Sequence, residues 1–502
     1  MWSPGPEILT VTQMSEVDRL ATLSGVDNFT LMENAGRQVA NEISKRWSIQ
    51  KTTILCGPGN NGGDGYVVAR HLQARGWPIE VVCIGDHSSA KADAAQMAKL
   101  WTGPKRSFDA SEPIHGTLVV DAIFGAGLSR GLSPELIQLF EDIEMADIPV
   151  VAVDIPSGIH GDSAKFLDDA QPWSAKLTVT FYRQKPAHVL QPARQYCGEI
   201  ALKDIGIADG MLQVLARELS AGEQSEWPCR ENRGPRNYNE LSPMAHKYQR
   251  GHCFVVSGPS TMTGAARLAG LAALRAGAGL VTILGKGEAL PVLAAQLTSV
   301  MVRTISVSTP ISAMLADKRI TAVVVGPGNG VGPETHKNVT DILAAGIGAV
   351  LDADALTSFA AEPKSLFECL HANAVLTPHE GEFERLFPGV LKRSTNRIEA
   401  ARAAAKQSGA VMVLKGADTV IATPDGHAVI NTNAPADLAT AGSGDVLAGI
   451  IGGLIAQGLS AFDAAKQGVF FHGKCGRLAG RGMIAEDLPD LLPHVMHRPE
   501  IK

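Results

Sequence analysis

The chain has 502 residues, more than one ordinary hydrophobic core supports, so two or three domains are expected. Its composition, with 45% hydrophobic residues, 19% charged residues and 52 glycines, is typical of glycine-rich α/β enzymes and excludes a disordered chain. The formal net charge of -6 offers no basic surface, which makes nucleic acids and anionic membranes poor partners.

Three features of the sequence bear on the cellular compartment. The amino terminus lacks the charged-then-apolar pattern of a signal peptide. The seven cysteines show no CxxC spacing, which argues against a disulfide framework or a zinc site. The longest uncharged apolar stretch, residues 446–462, contains several glycines and a glutamine, and this favours a core helix over a membrane span. We therefore expect a cytoplasmic enzyme with reduced thiols.

The first block of the sequence alternates predicted strands with predicted helices, the pattern of a parallel sheet covered by helices on both faces. Helical sequence occupies residues 12–46, and further helices are predicted at 65–75 and 134–145. Apolar runs predict strands at residues 52–56, 80–84, 117–123, 150–155 and 177–181.

A glycine-rich segment follows the first of these strands. Residues 57–65 contain five glycines and lead into a helix. Glycines let the backbone approach a ligand closely, and the amino terminus of a helix favours phosphate. Because Asn60, Asn61 and Asp64 add amide oxygens and a carboxylate, the segment favours ligand binding over a purely steric turn.

Two more strands of the first block end in polar residues. Asp121 precedes a second glycine-rich loop at 124–131, and Asp154 and Ser157 lie at the end of the next strand. Parallel strands present their carboxyl ends at one sheet edge, where open α/β sheets bind ligands. Oxygens of Asn61, Asp121 and Ser157 are suited to a hard cation such as K⁺. Spacing alone supports a nucleotide-like ligand and an acid/base carboxylate.

The regular alternation stops in the middle of the chain. Segments 223–228 and 233–237 are polar and rich in helix-breaking residues, as linkers are. We therefore predict a linker over residues 216–240, between domains at residues 7–215 and 241–495.

The second block reads as a larger α/β sandwich. Ala-rich segments at 265–276 and 397–407 predict helices. Strands are predicted at residues 252–256, 280–284, 322–325, 349–352, 374–376, 412–415 and 420–423.

The run at residues 440–445 is the most informative motif in the second block. Its two glycines allow consecutive amide groups to converge, and the apolar residues behind them open a helix whose positive end faces the same point. Asp445 is placed to take a proton from an alcohol while those amides hold a phosphoryl group. No Walker-type GxxxxGK[ST] motif occurs, so the turn at residues 415–419 and these amides would hold a nucleotide, with Mg²⁺ balancing its charge.

A histidine between carboxylates follows another strand of this block. His379 comes directly after a proline and precedes Glu380 and Glu382. We favour a functional histidine here. For Glu382, the alternative is an acidic residue that pairs with the dipole at a helix amino terminus.

Together these motifs resemble two known families. The second block is similar to the ribokinase-like sandwich, and within it to the NAD(P)H-hydrate dehydratases, through residues 264–266, 275–281, 326–328, 377–382, 415–419 and 441–445. The first block resembles the NAD(P)H-hydrate epimerases through residues 60–65, 124–127 and 154–158. The implied fold class is α/β, with an N-terminal Rossmann-like three-layer domain plus a C-terminal ribokinase-like α/β/α sandwich, in the order of the bacterial fused enzyme.

The resemblance implies repair of NADH and NADPH whose nicotinamide ring has added water at C6. The epimerase interconverts the R and S hydrates, NADHX and NADPHX, and the dehydratase restores NADH or NADPH from the S form. Dehydration would consume ADP and give AMP and phosphate. The bacterial layout favours ADP over ATP. The implied cofactors are K⁺ in the epimerase site and Mg²⁺ in the dehydratase site, and a homo-oligomer is expected.

The resemblance also assigns site residues. Asp154 would move a proton during ring opening or reclosure, and Asp445 would act as base toward the C6 hydroxyl. Substrate contacts in the epimerase would be Asn60, Asn61, Gly62, Gly63, Asp64, Gly125, Ala126, Gly127, Leu128, Ser129, Arg130, Gly131 and Asp154, with K⁺ on Asn61, Asp121 and Ser157. In the dehydratase, Ala265, Gly328, His379 and Asp445 would contact the hydrate, and Lys415, Gly416, Ala417, Asp418, Thr419 and Gly444 the nucleotide.

One segment departs from the family pattern, and two other functions compete with repair. Residues 433–437 read Asn-Ala-Pro-Ala-Asp where a Gly-Asn-Pro-Gly-like turn is usual, and alanine narrows the allowed backbone. A vitamin or sugar kinase of the same superfamily would leave the phosphate on its product. A regulatory protein would bind a nucleotide without turnover. The first block and His379 argue against the kinase, and Asp154 and Asp445 against the regulator.

Overall fold

A computed structural model describes residues 5–86, 92–167, 173–221, 227–235, 244 and 246–496. The chain forms two compact units, Met1–Pro228 and Cys229–Lys502. Each unit is built on its own largely parallel sheet flanked by helices, which confirms the predicted fold class.

The first unit contains a seven-stranded sheet. A two-residue strand, β1 (Glu7–Ile8), comes before this sheet in the sequence and is not part of it. The seven strands of the sheet are β2 (Thr52–Cys56), β3 (Ile79–Cys83), β4 (Lys105–Ser107), β5 (Leu118–Ala122), β6 (Val150–Val153), β7 (Leu177–Phe181) and β8 (Glu199–Lys203). Its helices are α1 (Val11–Leu23), α2 (Asn28–Arg46), α3 (Asn60–Gln73), α4 (Ala92–Leu100), α5 (Pro134–Met145) and α6 (Gly210–Ala221), with 3-10 turns at Pro186–His188 and Ala193–Tyr196.

The strand order places a ligand-binding crevice in this unit. The sheet runs β4-β3-β2-β5-β6-β7-β8 with every pair parallel. The chain first builds outward from β2 and then reverses at β5, so the carboxyl ends of β2 and β5 flank the switch point at which such sheets bind ligands. Strands β2, β5, β6 and β7 are buried along their whole length, because helices cover both faces.

Helix α3 begins earlier than the sequence predicted. It starts at Asn60, so the glycine-rich segment forms helical turns rather than a loop. Packing explains why glycine, a poor helix former, occurs here. A methyl group at Gly62 would collide with the Gly57 carbonyl, and one at Gly65 would lie 2.7 Å from Ala122 Cβ. These glycines let α3 pack directly on the ends of β2 and β5.

The second unit contains the larger sheet. Its strands are β9 (Cys229–Glu231), β10 (His252–Val256), β11 (Leu280–Gly285), β12 (Met301–Thr304), β13 (Ile320–Val325), β14 (Gly348–Leu351), β15 (Ala374–Leu376), β16 (Val411–Leu414), β17 (Thr419–Ala422) and β18 (Ala428–Asn431). Its helices are α7 (Gly264–Arg275), α8 (Leu290–Gln296), α9 (Ile311–Met314), α10 (Pro333–Ala344), α11 (Asp354–Thr357), α12 (Pro363–Phe367), α13 (Glu380–Leu386), α14 (Val390–Arg393), α15 (Arg397–Ser408), α16 (Ser443–Ala456), α17 (Ala461–Ala479) and α18 (Asp487–Met496).

This sheet also has a switch point. The order is β9-β18-β17-β16-β15-β14-β13-β10-β11-β12. The strands from β16 to β12 are parallel, and β17 pairs antiparallel with both β16 and β18. The chain reverses direction between β10 and β13, so their carboxyl ends flank a second crevice.

Two closely packed helices, α7 and α16, lie against the strands that flank this crevice. A methyl group at Gly449 or Gly453 of α16 would collide with the carbonyl oxygen of Ala269 or Ala273 of α7. Glycine at these positions therefore lets the helix axes approach. As predicted, α16 is a core helix, buried on nearly every side. Among the described residues, no helix combines the length and apolarity needed to cross a bilayer.

The segment predicted to be a linker contains regular structure at its start and in its middle. Helix α6 extends to Ala221, and β9 pairs in parallel with β18, Arg230 opposite Val429 and Glu231 opposite Ile430. A three-residue strand with only Cys229 buried has no recognisable apolar pattern, so it could not be predicted from the sequence. Residues 222–226 and 236–240 of the predicted linker lie outside the described residues.

Candidate active sites

Asp154 is the centre of the candidate site in the first unit. It follows β6 directly and has a φ of 66°, a conformation rare for a non-glycine residue and often found at functional sites. Its Oδ1 accepts hydrogen bonds from Lys185 Nζ at 2.7 Å and Thr180 Oγ1 at 3.0 Å. Its Oδ2 accepts one from the Ala126 amide at 3.1 Å. Three donors thus hold the carboxylate in one orientation.

His188 fixes the backbone of the same aspartate. Its Nδ1 accepts from the Lys185 amide at 2.9 Å, so Nε2 carries the proton and donates to the Asp154 carbonyl at 2.8 Å. Burial lowers the pKa of His188 to about 4, which keeps the ring neutral. Burial opposes ionisation of Asp154, but its partners together, with the charge of Lys185 foremost among them, outweigh burial and lower the pKa of Asp154 to about 2.

The pKa values of two neighbouring carboxyl groups, Asp64 and Asp18, are raised rather than lowered. Burial and the negative charge of Asp154 raise the pKa of Asp64 well above its usual range. Burial, partly offset by Lys185, raises the pKa of Asp18 to about 6. The site therefore combines a carboxyl group whose ionisation is favoured with two neighbours whose ionisation is disfavoured. Carboxyl groups whose pKa values are separated in this way can accept and donate protons in one reaction.

The predicted substrate-binding segments meet around Asp154. A methyl group at Gly125 would lie 3.3 Å from both Asn61 Oδ1 and Asp154 Oδ2, so the first turn of α3, which includes Asn60, Gly62, Gly63 and Asp64, adjoins the loop after β5. The amide nitrogen of Asn61 is buried without a hydrogen-bond partner among the described residues. Buried amides are normally satisfied, so this one is suited to a ligand. Further along the loop, Leu128 is buried, Gly131 is half-buried, and Gly127, Ser129 and Arg130 are exposed.

Two of the three predicted cation ligands are in direct contact. Asp121 is fully buried and accepts from the Ser157 hydroxyl at 2.7 Å, the Ser157 amide at 2.8 Å, Trp173 Nε1 at 2.9 Å and the Ile123 amide at 3.2 Å. Four donors occupy the lone pairs of a carboxylate. Asp121 thus braces the loop that carries Ser157, and the oxygens of Asn61 and Ser157 are the more available ligands for a cation.

Asp445 lies in the first turn of α16, at the anion site predicted for the second unit. Gly442 adopts the left-handed conformation with a φ of 86°, as the tight turn requires. A methyl group at Gly444 would lie 3.5 Å from Lys415 Nζ and 3.7 Å from Asp352 Oδ2. The structure therefore brings together the helix terminus, a lysine and two carboxylates.

The charges in this site depend on one another. Lys415 Nζ donates to Asp352 Oδ1 at 2.6 Å, and this pairing keeps the pKa of Lys415 above its usual value despite burial. Burial and the charge of Asp352 raise the pKa of Asp445 to about 6, although Lys415 opposes the rise. A carboxylate with a pKa near neutrality is suited to act as a general base.

A buried histidine anchors the same helix terminus. The Ser443 hydroxyl lies 3.1 Å from His472 Nε2, which links the first turn of α16 to α17. Burial lowers the pKa of His472 to about 4, so the ring is neutral. The ring therefore orients the loop without adding charge to the anion site.

Ala265 and Gly328, both predicted to contact the hydrate, are neighbours at the switch point. Gly328 has a φ of 66°, and a methyl group there would lie 3.5 Å from Ala265 Cβ. The Asn329 side chain accepts from the Gly326 amide at 2.7 Å and donates to the Val256 carbonyl at 2.8 Å. It ties the ends of β10 and β13 together and so shapes the crevice.

His379 has a structural role in addition to its predicted one. It caps α13, since its Nδ1 accepts from the Gly381 amide at 3.0 Å while Glu382 accepts from the His379 amide at 2.9 Å. This reciprocal capping box is the helix-terminal role considered for Glu382. The His379 side chain is 57% exposed, with Nε2 3.4 Å from Glu382 Oε1, so the ring is accessible to a ligand.

The predicted nucleotide turn presents its backbone to solvent. Gly416 and Ala417 are exposed at its tip. The Thr419 hydroxyl donates to the Gly416 carbonyl at 3.0 Å and closes the turn, whereas Asp418 is buried against Arg397. The Gly416 amide donates to the Thr419 hydroxyl at 3.3 Å, so the amide of exposed Ala417 is the group suited to phosphate.

The unusual segment at residues 433–437 is held by side-chain contacts. Asn433 donates to the Phe470 carbonyl at 3.0 Å and accepts from Asn431 at 2.7 Å. None of these five residues, all within the described chain, has a positive φ, so alanine in place of glycine causes no backbone strain.

Several site residues were missed by sequence reasoning. Lys185, Thr180 and His188 lie 26 to 34 positions from their partner Asp154 and form no motif with it. Asp352 carried a weak signal as an aspartate directly after a strand. Arg397 carried none.

Both units thus have the architecture of ligand-binding α/β enzymes, the first with paired acid and base carboxyl groups, the second with a base at an anion-binding helix terminus. The family described as NAD(P)H-hydrate dehydratase matches residues 253–497, and that described as YjeF-related protein N-terminus matches residues 28–187.

Full-length relatives are similar to the whole chain. It is 36% identical to the bifunctional NAD(P)H-hydrate repair enzyme Nnr of Moorella thermoacetica, over 98% of this chain and 97% of that one. It is 33% identical to the enzyme of the same name from Coxiella burnetii, over 96% and 97%. A solved ADP/ATP-dependent NAD(P)H-hydrate dehydratase from Bacillus subtilis, co-crystallised with ATP/Mg²⁺, is 31% identical, with a TM-score of 0.43 over 51% of this chain and 92% of that one.

The chain therefore belongs to the family of bifunctional NAD(P)H-hydrate repair enzymes, with an epimerase domain followed by a dehydratase domain. This confirms the resemblance inferred from the motifs.

Proposed function

We propose that the protein epimerises the R and S hydrates of NADH and NADPH and dehydrates the S form at the expense of ADP. The observation that carries the proposal is the placement of Asp445 at an anion-binding helix terminus beside Lys415 and Asp352. A base with a pKa of about 6 at this point is suited to activating a hydroxyl for attack on a phosphoryl group.

In the dehydratase, Asp445 takes the proton of the C6 hydroxyl, and the oxygen attacks the terminal phosphorus of ADP. The bond from that phosphorus to AMP breaks, and AMP leaves. The C6–O bond of the phosphate ester then breaks, pushed by the lone pair of the ring nitrogen, and loss of a proton from C5 restores the dihydronicotinamide. The phosphoryl transfer is needed because hydroxide is a poor leaving group and phosphate a good one.

The donor set at this site fits Mg²⁺. Asp352 Oδ2 faces Gly444 and supplies the kind of hard oxygen ligand that Mg²⁺ prefers. Asp352 would hold the ion together with the nucleotide phosphates. Mg²⁺ would balance their negative charge during transfer.

In the epimerase, the paired carboxyl groups match the chemistry of ring opening. Opening at C6 removes the hydroxyl proton, breaks the C6–N1 bond and adds a proton to the ring nitrogen. Asp154, kept ionised by Lys185, is suited to the first transfer, and Asp64, whose pKa burial and the charge of Asp154 raise, is suited to the second. Reclosure on the other face of the carbonyl reverses both transfers and gives the other epimer.

A potassium ion in the epimerase site is part of the proposal. The Asn61 and Ser157 side-chain oxygens would bind it directly, and Asp121, already surrounded by four donors, would position Ser157 and contribute its charge. Replacing K⁺ by a large organic cation should then slow epimerisation without affecting dehydration of the purified S hydrate.

The decisive experiment measures recovery of NADH absorbance from a mixture of both hydrates, with Mg²⁺ and K⁺, comparing ADP, ATP and no nucleotide. Complete recovery with ADP supports both activities, because the S epimer alone supplies only part of it. Recovery that stops after the S epimer rejects the epimerase role. A stable phosphorylated product would favour the vitamin or sugar kinase, and no recovery with any nucleotide would reject the repair function.

A further inference from the structure

Arg397 connects two loops of the dehydratase domain that have different predicted tasks. It is the first residue of α15, and its side chain is 14% exposed. One guanidinium nitrogen donates to Glu380, next to His379 in the loop assigned to the hydrate. Another donates to the Lys415 carbonyl at 2.9 Å, in the turn assigned to the nucleotide.

A third contact strengthens the link to the nucleotide turn. Arg397 Nε lies 3.0 Å from Asp418 Oδ1, and the Asp418 side chain is only 4% exposed. A methyl group at Gly416 would lie 2.5 Å from Arg397 Nη2, so glycine at that position makes room for the guanidinium. The planar guanidinium donates to acceptors in both loops at fixed angles and also places its charge against Asp418, which the single ammonium group of a lysine cannot do.

Helix stability does not explain an arginine at this position. Cations are unfavourable at helix amino termini, because the helix dipole is positive there. Asn396 already caps α15, accepting from the Ile398 amide at 2.9 Å and the Glu399 amide at 3.1 Å. The contacts to the two loops are therefore the physical reason for the position of Arg397.

We propose that Arg397 is a positioning residue for dehydration. It sets the spacing between the hydrate loop (residues 377–382) and the nucleotide turn (residues 415–419). The inference rests on the proposed function of the domain. The two segments already touch through one backbone hydrogen bond, from the Lys415 amide to the Pro378 carbonyl at 2.9 Å. Arg397 adds a rigid side-chain brace from α15. Phosphoryl transfer is sensitive to such spacing, because the attacking oxygen and phosphorus must be held in near-attack geometry.

The test uses the full-length enzyme with purified S hydrate, ADP and Mg²⁺. Arg397→Gln should lower kcat at saturating substrates by about 10- to 100-fold, as small misplacements of reacting groups do. Arg397→Lys keeps the charge and should recover part of the loss. Arg402→Gln is the matched control, since Arg402 lies on the same helix with 12% exposure and pairs with Glu399 at 2.8 Å.

A merely structural role predicts a different result. In that case Arg397→Gln and Arg402→Gln would lower the melting temperature alike and leave kcat per folded molecule unchanged, which would overturn the inference. If Arg397→Gln fails to fold, Glu380→Gln provides the second test, because Glu380 is 66% exposed. It should reduce kcat/KM for the hydrate by about three- to tenfold, with ADP affinity by calorimetry unchanged. An unaltered kcat/KM would contradict the inference, whereas an inactive wild type would instead reject the proposed function.

Discussion

The rate of dehydration should fall at low pH because Asp445 becomes protonated. Its pKa is raised to about 6 by burial and by Asp352, and only the ionised form accepts the hydroxyl proton. Lowering the pH from 7 to 5 reduces the ionised fraction from roughly nine-tenths to one-tenth, so kcat/KM should fall about tenfold. Above about pH 7, kcat/KM should no longer change with pH.

Initial rates with purified S hydrate test this prediction, because the result then does not depend on the epimerase. Asp352→Asn removes the neighbouring charge that raises the pKa of Asp445 most, so the fall in rate should move to lower pH. Asp445→Asn should cost on the order of 10²–10⁴ in rate. A rate independent of pH between about 5 and 8, or an active Asp445→Asn variant, would refute the assignment of Asp445 as the base.

Three further predictions concern other parts of the chain. Asp154→Asn should stop repair of the R hydrate while leaving repair of the S hydrate intact, and unchanged repair of the R hydrate in this variant would contradict the role of Asp154. Lys185→Met should raise the pKa of Asp154, so that the loss of epimerisation at low pH falls within the measurable pH range. Burial lowers the pKa of His472 from 6.5 to about 4, so its stabilising contribution, about 3 kcal/mol, is complete above pH 6.5 and lost as the pH falls toward 4; calorimetry of His472→Gln should show a weaker pH dependence. Gly453→Val should destabilise the second unit by about 1–3 kcal/mol through collision with a carbonyl of α7, whereas Gly287→Ala, in open space, should leave the melting temperature unchanged.

The sheets were predictable from local sequence. Strands at 52–56, 177–181, 252–256 and 374–376 have the limits that their apolar runs predicted. A strand covered on both faces is mostly apolar, with only occasional buried polar residues such as Thr178 and Thr180, and such a run is visible without knowledge of its neighbours. Local propensity misled at α3, because packing against β2 and β5 outweighs the poor helix propensity of its glycines.

The motif residues that we propose for catalysis were also identifiable from the sequence alone. Asp154 and Asp445 are recognisable because a strand end or a glycine turn next to a helix has a short, local pattern. The residues that contact these aspartates cannot be recognised in this way. Lys185 is 31 positions from Asp154, and Lys415 is 63 positions from Asp352, and only the tertiary structure decides that these charges meet. The opposite pKa shifts of Asp154 and Asp445 follow from those encounters and from burial, since the charge and solvent exposure around a carboxyl group depend on every element packed against it.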